Sequence, residues 1–254
     1  MIKRSILIVL LLICAALATV LLRQNDGSIA LTGAQAMQMT DDVFMIGLTI
    51  DNSGDPDVLL GARMDGAASV SIMNPDALGL PLVVPAQSQG ILAGDGAHIM
   101  LMAPDVAFTE GAILPLTLVF ERAGEVVTRV QHAGMGGMQH MQGAGVDEVP
   151  SPSVTLTLPD GPRADGFDLR LAVQNFTFVR TPADIDMAAH VAGEGHAHLY
   201  LNGLKLGRLY GPEANVGPLP PGIYDLRVSL NTNDHRSYMN GDVPVQSVVS
   251  FTLE

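Results

Sequence analysis

A short segment of this sequence combines one histidine with two methionines at alternate positions, His98-Ile99-Met100-Leu101-Met102. Alternate side chains of a β-strand point to one face, so His98, Met100 and Met102 are expected to share a face if the segment is a strand. Imidazole and thioether groups side by side are soft ligands that suit Cu(I). The alternative is that both methionines fill a core and His98 lies at the surface.

A second group of metal-binding residue types lies in a glycine-rich stretch without apolar periodicity, which predicts a linker over residues 132–152. Thioethers bind without losing a proton, and an adaptable chain can capture a soft metal such as Cu(I). The alternative is a linker that merely tolerates methionine. The candidate ligands are His132, Met135, Met138, His140 and Met141.

A third group is the pair His196 and His198, with His190 before it and His235 after it. On a strand, both imidazoles of a His-x-His pair can reach one ion, and such pairs recur in zinc and copper sites. His235 completes a possible three-histidine site for Cu(II) or Zn, with Asp234 and Glu194 as candidates for orienting a ring. The alternative places the histidines on separate exposed loops.

The elements that must position these residues are predicted to be strands. Short aliphatic runs between Gly, Asn and Pro turns predict an all-β fold of two small β-sandwich modules, at residues 42–131 and 153–254. Residues 24–41 are polar and unpatterned, and are interpreted as a spacer. The predicted strands are 43–51, 58–64, 69–73, 82–84, 98–102, 114–122 and 126–130, followed by 154–158, 168–178, 196–201, 205–209, 223–230 and 245–253.

The N-terminus has the pattern of an export segment. Lys3 and Arg4 precede an uncharged apolar stretch over residues 5–22. Roughly 18 apolar residues suffice for a short membrane span, and a cleaved signal is the alternative. The basic flank stays in the cytoplasm, so residues 1–23 predict a periplasmic protein anchored to the inner membrane. Leu12 and Ile13 before Cys14 do not fit a lipoprotein signal.

Composition narrows the chemistry further. The formal net charge is −13, which disfavours nucleic acid as a partner. Cys14 is the only cysteine and lies in the export segment, so the exported part has no disulfide and no thiol chemistry. The sequence contains no phosphate-binding glycine loop and no serine-nucleophile motif. These features predict a binding protein rather than an enzyme.

Several pieces of residues 42–131 resemble the PCuAC family of periplasmic copper chaperones. They are Ile50-Asp51-Asn52-Ser53-Gly54, Gly96-Ala97-His98-Ile99-Met100-Leu101-Met102 and Leu114-Pro115-Leu116-Thr117-Leu118-Val119-Phe120. The resemblance implies a cupredoxin-like fold that binds Cu(I) through one histidine and several methionines. It also implies delivery of copper to a periplasmic or membrane-bound acceptor, such as cytochrome oxidase.

The family's ligands transfer to this sequence only in part. His98 and Met100 match the late His-x-Met pair, and Met73 stands where the family has an early ligand, usually histidine. The family's middle methionine has no counterpart in residues 74–80. Met64 and Met102 are candidates to replace it, and a three-coordinate or lost site is the alternative.

Three functions follow from these observations. The leading one is a copper chaperone that holds Cu(I) in the first module and the linker. The second is a small copper oxidoreductase centred on His196, His198 and His235. The third is a non-catalytic adaptor whose metal site has degenerated.

Overall fold

The computed structural model describes residues 28–105, 107–134, 145–180 and 189–254. Throughout this part the chain is made of strands, turns and loops, without an α-helix. The all-β class predicted from the sequence is confirmed. The predicted export segment, residues 1–23, lies outside the described residues, and within the described part no helix is long and apolar enough to cross a membrane.

Two groups of strands follow each other along the chain. The first module, residues 29–132, contains β1 (Ile29–Thr40), β2 (Val43–Asn52), β3 (Asp57–Arg63), β4 (Ala67–Met73), β5 (Leu82–Val84), β6 (Ser88–Leu92), β7 (His98–Pro104), β8 (Ile113–Phe120) and β9 (Gly124–His132). The second module, residues 145–254, contains β10 (Val146–Asp147), β11 (Ser153–Thr157), β12 (Phe167–Gln174), β13 (Thr177–Phe178), β14 (Glu194–Leu201), β15 (Leu204–Leu209), β16 (Glu213–Val216), β17 (Gly222–Thr232), β18 (Tyr238–Asn240), β19 (Val243–Pro244) and β20 (Gln246–Leu253).

One sheet of 14 strands runs through both modules, and eleven of them follow one another in the order β20-β17-β14-β15-β6-β2-β1-β9-β8-β3-β5. It forks at β2, whose first half pairs with β7 and whose second half pairs with β6. β4 pairs with the outer side of β7, and β13 pairs with β14. Two further sheets have three strands each, β10-β18-β19 and β11-β12-β16.

The segment interpreted as a spacer is different in the structure. Residues 29–40 form β1, which pairs antiparallel with β2 and parallel with the end of β9. Ala34 and Ala36 point into the core, whereas the intervening Gln35 is exposed. Because the buried Ala34 and Ala36 are small, the buried and exposed positions of β1 differ little in hydrophobicity. The alternation of this strand is therefore weak in the sequence.

Strict alternation builds the core of the first module. On β2, the even positions from Phe44 to Ile50 are buried, and on β7 Ile99 and Leu101 are fully buried. These side chains meet the buried face of β8, which contributes Leu116 and Leu118. The opposite face of β7 is only partly buried, and His98 lies on it.

The second module has a separate core between two sheets. Buried aliphatic side chains of β14 and β17 face those of β11 and β12. Tyr224 and Tyr238 are also buried, and the hydroxyl of Tyr224 donates to the carbonyl of Pro220 at 2.7 Å. Burial on both faces shields β14 from solvent from Gly195 onward, including His196 and His198.

The β14–β15 hairpin joins the two modules. Its two-residue loop, Asn202-Gly203, has positive φ at both positions (49° and 81°), as expected for the asparagine–glycine turn that matches strand twist. The carbonyl of Gly203 accepts from the backbone N–H of Ala97 at 2.9 Å, and Lys205 pairs with Ile91 of β6. The hairpin thereby brings β14 against the loop at residues 93–97, called the Asp95 loop below.

Candidate metal centres

Met73, His98 and Met100 lie together on two paired strands of the first module. β4 and β7 are antiparallel, and Met73 is directly opposite His98. Directly opposed residues share a face, with Cβ atoms about 4.5–5.5 Å apart. Met100 lies two residues beyond His98 on that face, whereas Ile99 and Leu101 point into the core. The arrangement offers one imidazole and two thioethers on a single surface.

The His98 ring is held in one orientation. Its Nδ1 lies 2.9 Å from the carbonyl oxygen of Gly96. Because a carbonyl only accepts, Nδ1 carries the proton and Nε2 keeps its lone pair for a metal. Met73 is 45% exposed, so the surface stays open to solvent on the β4 side.

Met45 adds a sulfur that sequence reasoning missed. On β2 it is directly opposite Met100, and Met37 on β1 is opposite Met45. The three methionines form a row across adjacent strands, beside the pair of Met73 and His98. Met45 is 8% exposed, and its sulfur packs against Gly94, where an added Cβ would stand 3.1 Å away.

The two residues considered as replacements for the missing ligand have different surroundings. Met102 lies on the His98 face, opposite Ser69 and Val43, and is 45% exposed. Met64 is buried among the hydrophobic core residues. Among the methionines of the other described strands, Met45 is directly opposite Met100.

His132 is not part of a linker. It ends β9, is 4% exposed, and its ring packs at 5.3 Å from that of Phe44 and 5.2 Å from that of Phe108. His132 is therefore a buried residue at the end of a strand of the first module. Those ligands, Met135, Met138, His140 and Met141, lie outside the described residues.

In the second module, His196, His198 and His235 meet at one place. One ring nitrogen from each lies within 4.8 Å of the others. Nε2 of His196 is 2.9 Å from Nε2 of His198, and the rings of His196 and His235 are 5.5 Å apart. The histidines on β14 are almost completely buried, whereas His235 is half-buried in the turn after β17.

His198 is anchored by a carboxylate from the other module. Its Nδ1 lies 2.8 Å from Oδ2 of Asp95. The same oxygen accepts from Nζ of Lys205 at 2.7 Å and from the hydroxyl of Tyr200 at 3.0 Å. Nδ1 of His198 is therefore the protonated nitrogen, and its Nε2 faces His196 with a lone pair.

Burial sets the charge state of this cluster. Desolvation lowers the pKa of His196 to about 2, helped by nearby positive charges. Desolvation also lowers the pKa of His198 to about 4, although Asp95 opposes the change. Burial alone would raise the pKa of Asp95, but the His198 hydrogen bond and the Lys205 charge hold it well below its usual range. At pH 7 both rings are neutral, which is the form that binds metals.

The remaining predicted residues of the second module have other partners. Nε2 of His190 lies 2.7 Å from the carboxylate of Glu148, and His190 is not one of the three clustered histidines. Asp234, expected to orient a ring, is instead 2.7 Å from Arg236 and accepts from the hydroxyl of Thr232. The Asp95 loop supplies the orienting carboxylate because the hairpin docks there, which local sequence does not reveal.

Comparison with known families agrees with the sequence resemblance. Residues 29–132 match the family described as LpqE-like, a lipoprotein family. The first module resembles the LpqE-like family. The expected resemblance to PCuAC-type proteins is confirmed over this part of the chain, and the match begins at β1 rather than after it. A comparison with curated proteins finds no match.

Three solved structures illustrate what the chain is similar to. The apo PCuAC domain from PmoF1 is 27% identical, covers 42% of this chain and 95% of its own, and gives a TM-score of 0.39. The copper-bound PCuAC domain from PmoF2 is 23% identical, covers 42% and 94%, and gives 0.38. The CupB2 chaperone of Pseudomonas aeruginosa is 8% identical, covers 88% and 100%, and gives 0.26.

The LpqE-like segment contains the whole methionine–histidine surface of the first module. Met45, Met73, His98 and Met100 all lie between residues 29 and 132, and so does Asp95. The three-histidine cluster lies outside the matched segment, yet its orienting carboxylate lies inside it. The two candidate centres are thus joined through one loop of the LpqE-like module.

Proposed function

We propose that this protein is an extracytoplasmic copper chaperone that holds Cu(I) in its LpqE-like module. The ligands are Met73, His98 and Met100, with Met45 in place of the family's middle methionine. The observation that carries the proposal is the register of β4 on β7, with Met73 opposite His98 and Met100 on the same face. Thioethers and one imidazole, without thiolate or carboxylate, form a donor set suited to Cu(I).

The exposure of the surface supports transfer rather than storage. Met73 and Met102 are each 45% exposed, so an acceptor protein can approach and exchange ligands one at a time. Such exchange needs no general base, because a thioether carries no proton. The recipient is a copper enzyme on the outer side of the inner membrane, such as cytochrome oxidase, as the PCuAC resemblance implies. Residues 1–23 anchor the chain there, and the methionines and His140 of the linker add capture capacity.

A titration with Cu(I) against a competing chelator tests the proposal. Met73→Leu and Met100→Leu keep the side-chain size but remove the sulfur, and His98→Ala removes the imidazole. Each is expected to weaken Cu(I) binding by at least about tenfold, or about 1.4 kcal/mol. Met64→Leu is the matched control, because Met64 lies in the core. It should bind as the wild type does.

A deletion of residues 135–144 separates the module from the linker. Tight binding that survives the deletion but falls with His98→Ala supports the proposed site. Binding that disappears with the deletion alone would contradict it. Binding by neither region would favour the adaptor function instead.

A further inference from the structure

The three-histidine cluster of the second module has no role in the chaperone surface just described. We infer that His196, His198 and His235 form a second metal site, independent of the methionine surface, which takes Cu²⁺ and, more weakly, Zn²⁺. Asp95 of the first module acts as its positioning residue. The inference does not depend on Cu(I) binding by the LpqE-like module.

The ring nitrogens are arranged as metal ligands. His198 uses Nδ1 to donate to Asp95, so Nε2 is its only available lone pair. That nitrogen is 2.9 Å from Nε2 of His196, while Nδ1 of His196 is buried and has no hydrogen-bond partner. Ligand nitrogens about 2.0–2.1 Å from a common ion lie about 3 Å apart, so little movement is needed to admit one.

The backbone at His235 is unusual in a way that serves this site. His235 has φ of +66°, a conformation that costs energy for residues other than glycine. A tight turn holds it there, since the N–H of His235 donates to the carbonyl of Thr232 at 3.0 Å and Asp234 pairs with Arg236 at 2.7 Å. Strained backbone fixed by its surroundings is typical of functional positions. Here it directs the third imidazole toward His196.

Asp95 completes a carboxylate–histidine–metal arrangement across the module boundary. Such a carboxylate fixes the tautomer and the angle of the ligating ring. Lys205 and Tyr200 hold the carboxylate in turn, so its position is fixed from three sides. The carboxylate is also nearly buried, with 15% of its side chain exposed. Asp95 therefore holds the ring of His198 from a fixed position.

The donor set selects the class of ion. Three imidazole nitrogens suit Cu²⁺ and Zn²⁺, and the general order of stability places Cu²⁺ first. Two positively charged side chains, Lys205 and Arg208, would repel a bound metal ion. The charge of Lys205 is balanced by Asp95, and Arg208 is exposed, so salt screens its charge. The site therefore differs in preferred oxidation state from the thioether surface of the first module.

Equilibrium titration of the full chain with Cu²⁺ and with Zn²⁺ tests the inference, with paramagnetic resonance of the Cu²⁺ form. His235→Asn is the main variant, because asparagine accepts positive φ and the residue lies in a half-buried turn. We expect it to weaken both ions by at least about tenfold and to reduce the number of coordinated nitrogens. His190→Asn is the matched control, since His190 pairs with Glu148 and is not one of the three clustered histidines.

Asp95→Asn tests the positioning role. It is expected to weaken Zn²⁺ binding by about 10–100-fold while the three-nitrogen signal of bound Cu²⁺ is retained. His98→Ala should leave Cu²⁺ and Zn²⁺ binding unchanged, and His235→Asn should leave Cu(I) binding unchanged. The same titrations without residues 135–144 exclude ligands from the linker. Wild-type affinity in His235→Asn, or an equal loss in His190→Asn, would overturn the inference.

Discussion

Replacing Lys205 by methionine tests the charge network that joins the two modules. The substitution removes the ammonium group from Asp95 but keeps most of the apolar stem that Lys205 buries. Only 8% of the Lys205 side chain and 15% of the Asp95 side chain are exposed. The carboxylate of Asp95 would keep two neutral donors, His198 and Tyr200.

The expected loss of stability in Lys205→Met follows from this burial. Removing one partner of a buried ion pair destabilises a protein by about 3–5 kcal/mol, because the other charge remains desolvated. Since two donors to Asp95 remain, we expect a loss near the lower limit, about 3 kcal/mol. The matched control is Arg170→Met, which breaks a 2.8 Å ion pair with Glu213 whose side chains are 62% and 66% exposed. An exposed pair contributes about 0–1 kcal/mol.

Urea denaturation with metal chelated, followed by circular dichroism, measures both free energies of unfolding. The double variant with Asp95→Asn and Lys205→Met should recover part of the loss, because neither charge is then buried. A cost for Lys205→Met within about 1 kcal/mol of that for Arg170→Met would refute the reasoning. It would mean that Asp95 does not need the lysine charge to remain ionised inside the protein.

Three further predictions concern single positions. Gly96→Ala would place a Cβ 2.7 Å from the carbonyl oxygen of Gly203, so the free energy of unfolding in urea should fall by about 1–3 kcal/mol. Gly211→Ala is the control and should change it little, because nothing lies within 4 Å of the added Cβ. Met45→Leu should lower Cu(I) affinity by about tenfold in the chelator competition, with Met64→Leu again as the control, and an unchanged affinity would remove Met45 from the ligand set. Burial raises the pKa of Tyr224 and of Tyr238 to about 12, above the ordinary value of 10.0. The folded state therefore retains protons that the unfolded state loses, and the free energy of unfolding should fall between pH 10 and pH 12, with a smaller fall in Tyr224→Phe.

Much of the fold could be predicted from local alternation. The strands with one buried and one polar face, such as β2 and β7, were located to within a few residues. Short strands with little apolar character, β6, β10, β16, β18 and β19, were missed, because a few residues carry too weak a pattern. β1 was missed because its central buried residues, Ala34 and Ala36, are small and give only a weak apolar alternation.

The residues of the candidate sites also fall into two groups, those that the sequence indicates and those that it does not. Groups close in sequence, such as His98 with Met100 or His196 with His198, follow from strand periodicity alone. Met45 and Asp95 could not be found, because their relation to those groups depends on strand register and module docking. Tyr200 and Asp95, which share one hydrogen bond, are 105 positions apart. No local signal encodes such a contact.

The exchange of side chains across the module boundary has a consequence for how the chain can be divided. Leu204, from the second module, is fully buried in the core of the first, where it packs over Gly90, and Val83 of the first lies in the core of the second. A fragment ending at residue 134 would lose Leu204, and a buried leucine lost from a core costs about 2–5 kcal/mol. A polypeptide break between residues 134 and 145 would instead leave two pieces with complementary surfaces. The halves of this protein should therefore behave as a split pair that reassociates when co-expressed, rather than as interchangeable cassettes for fusion.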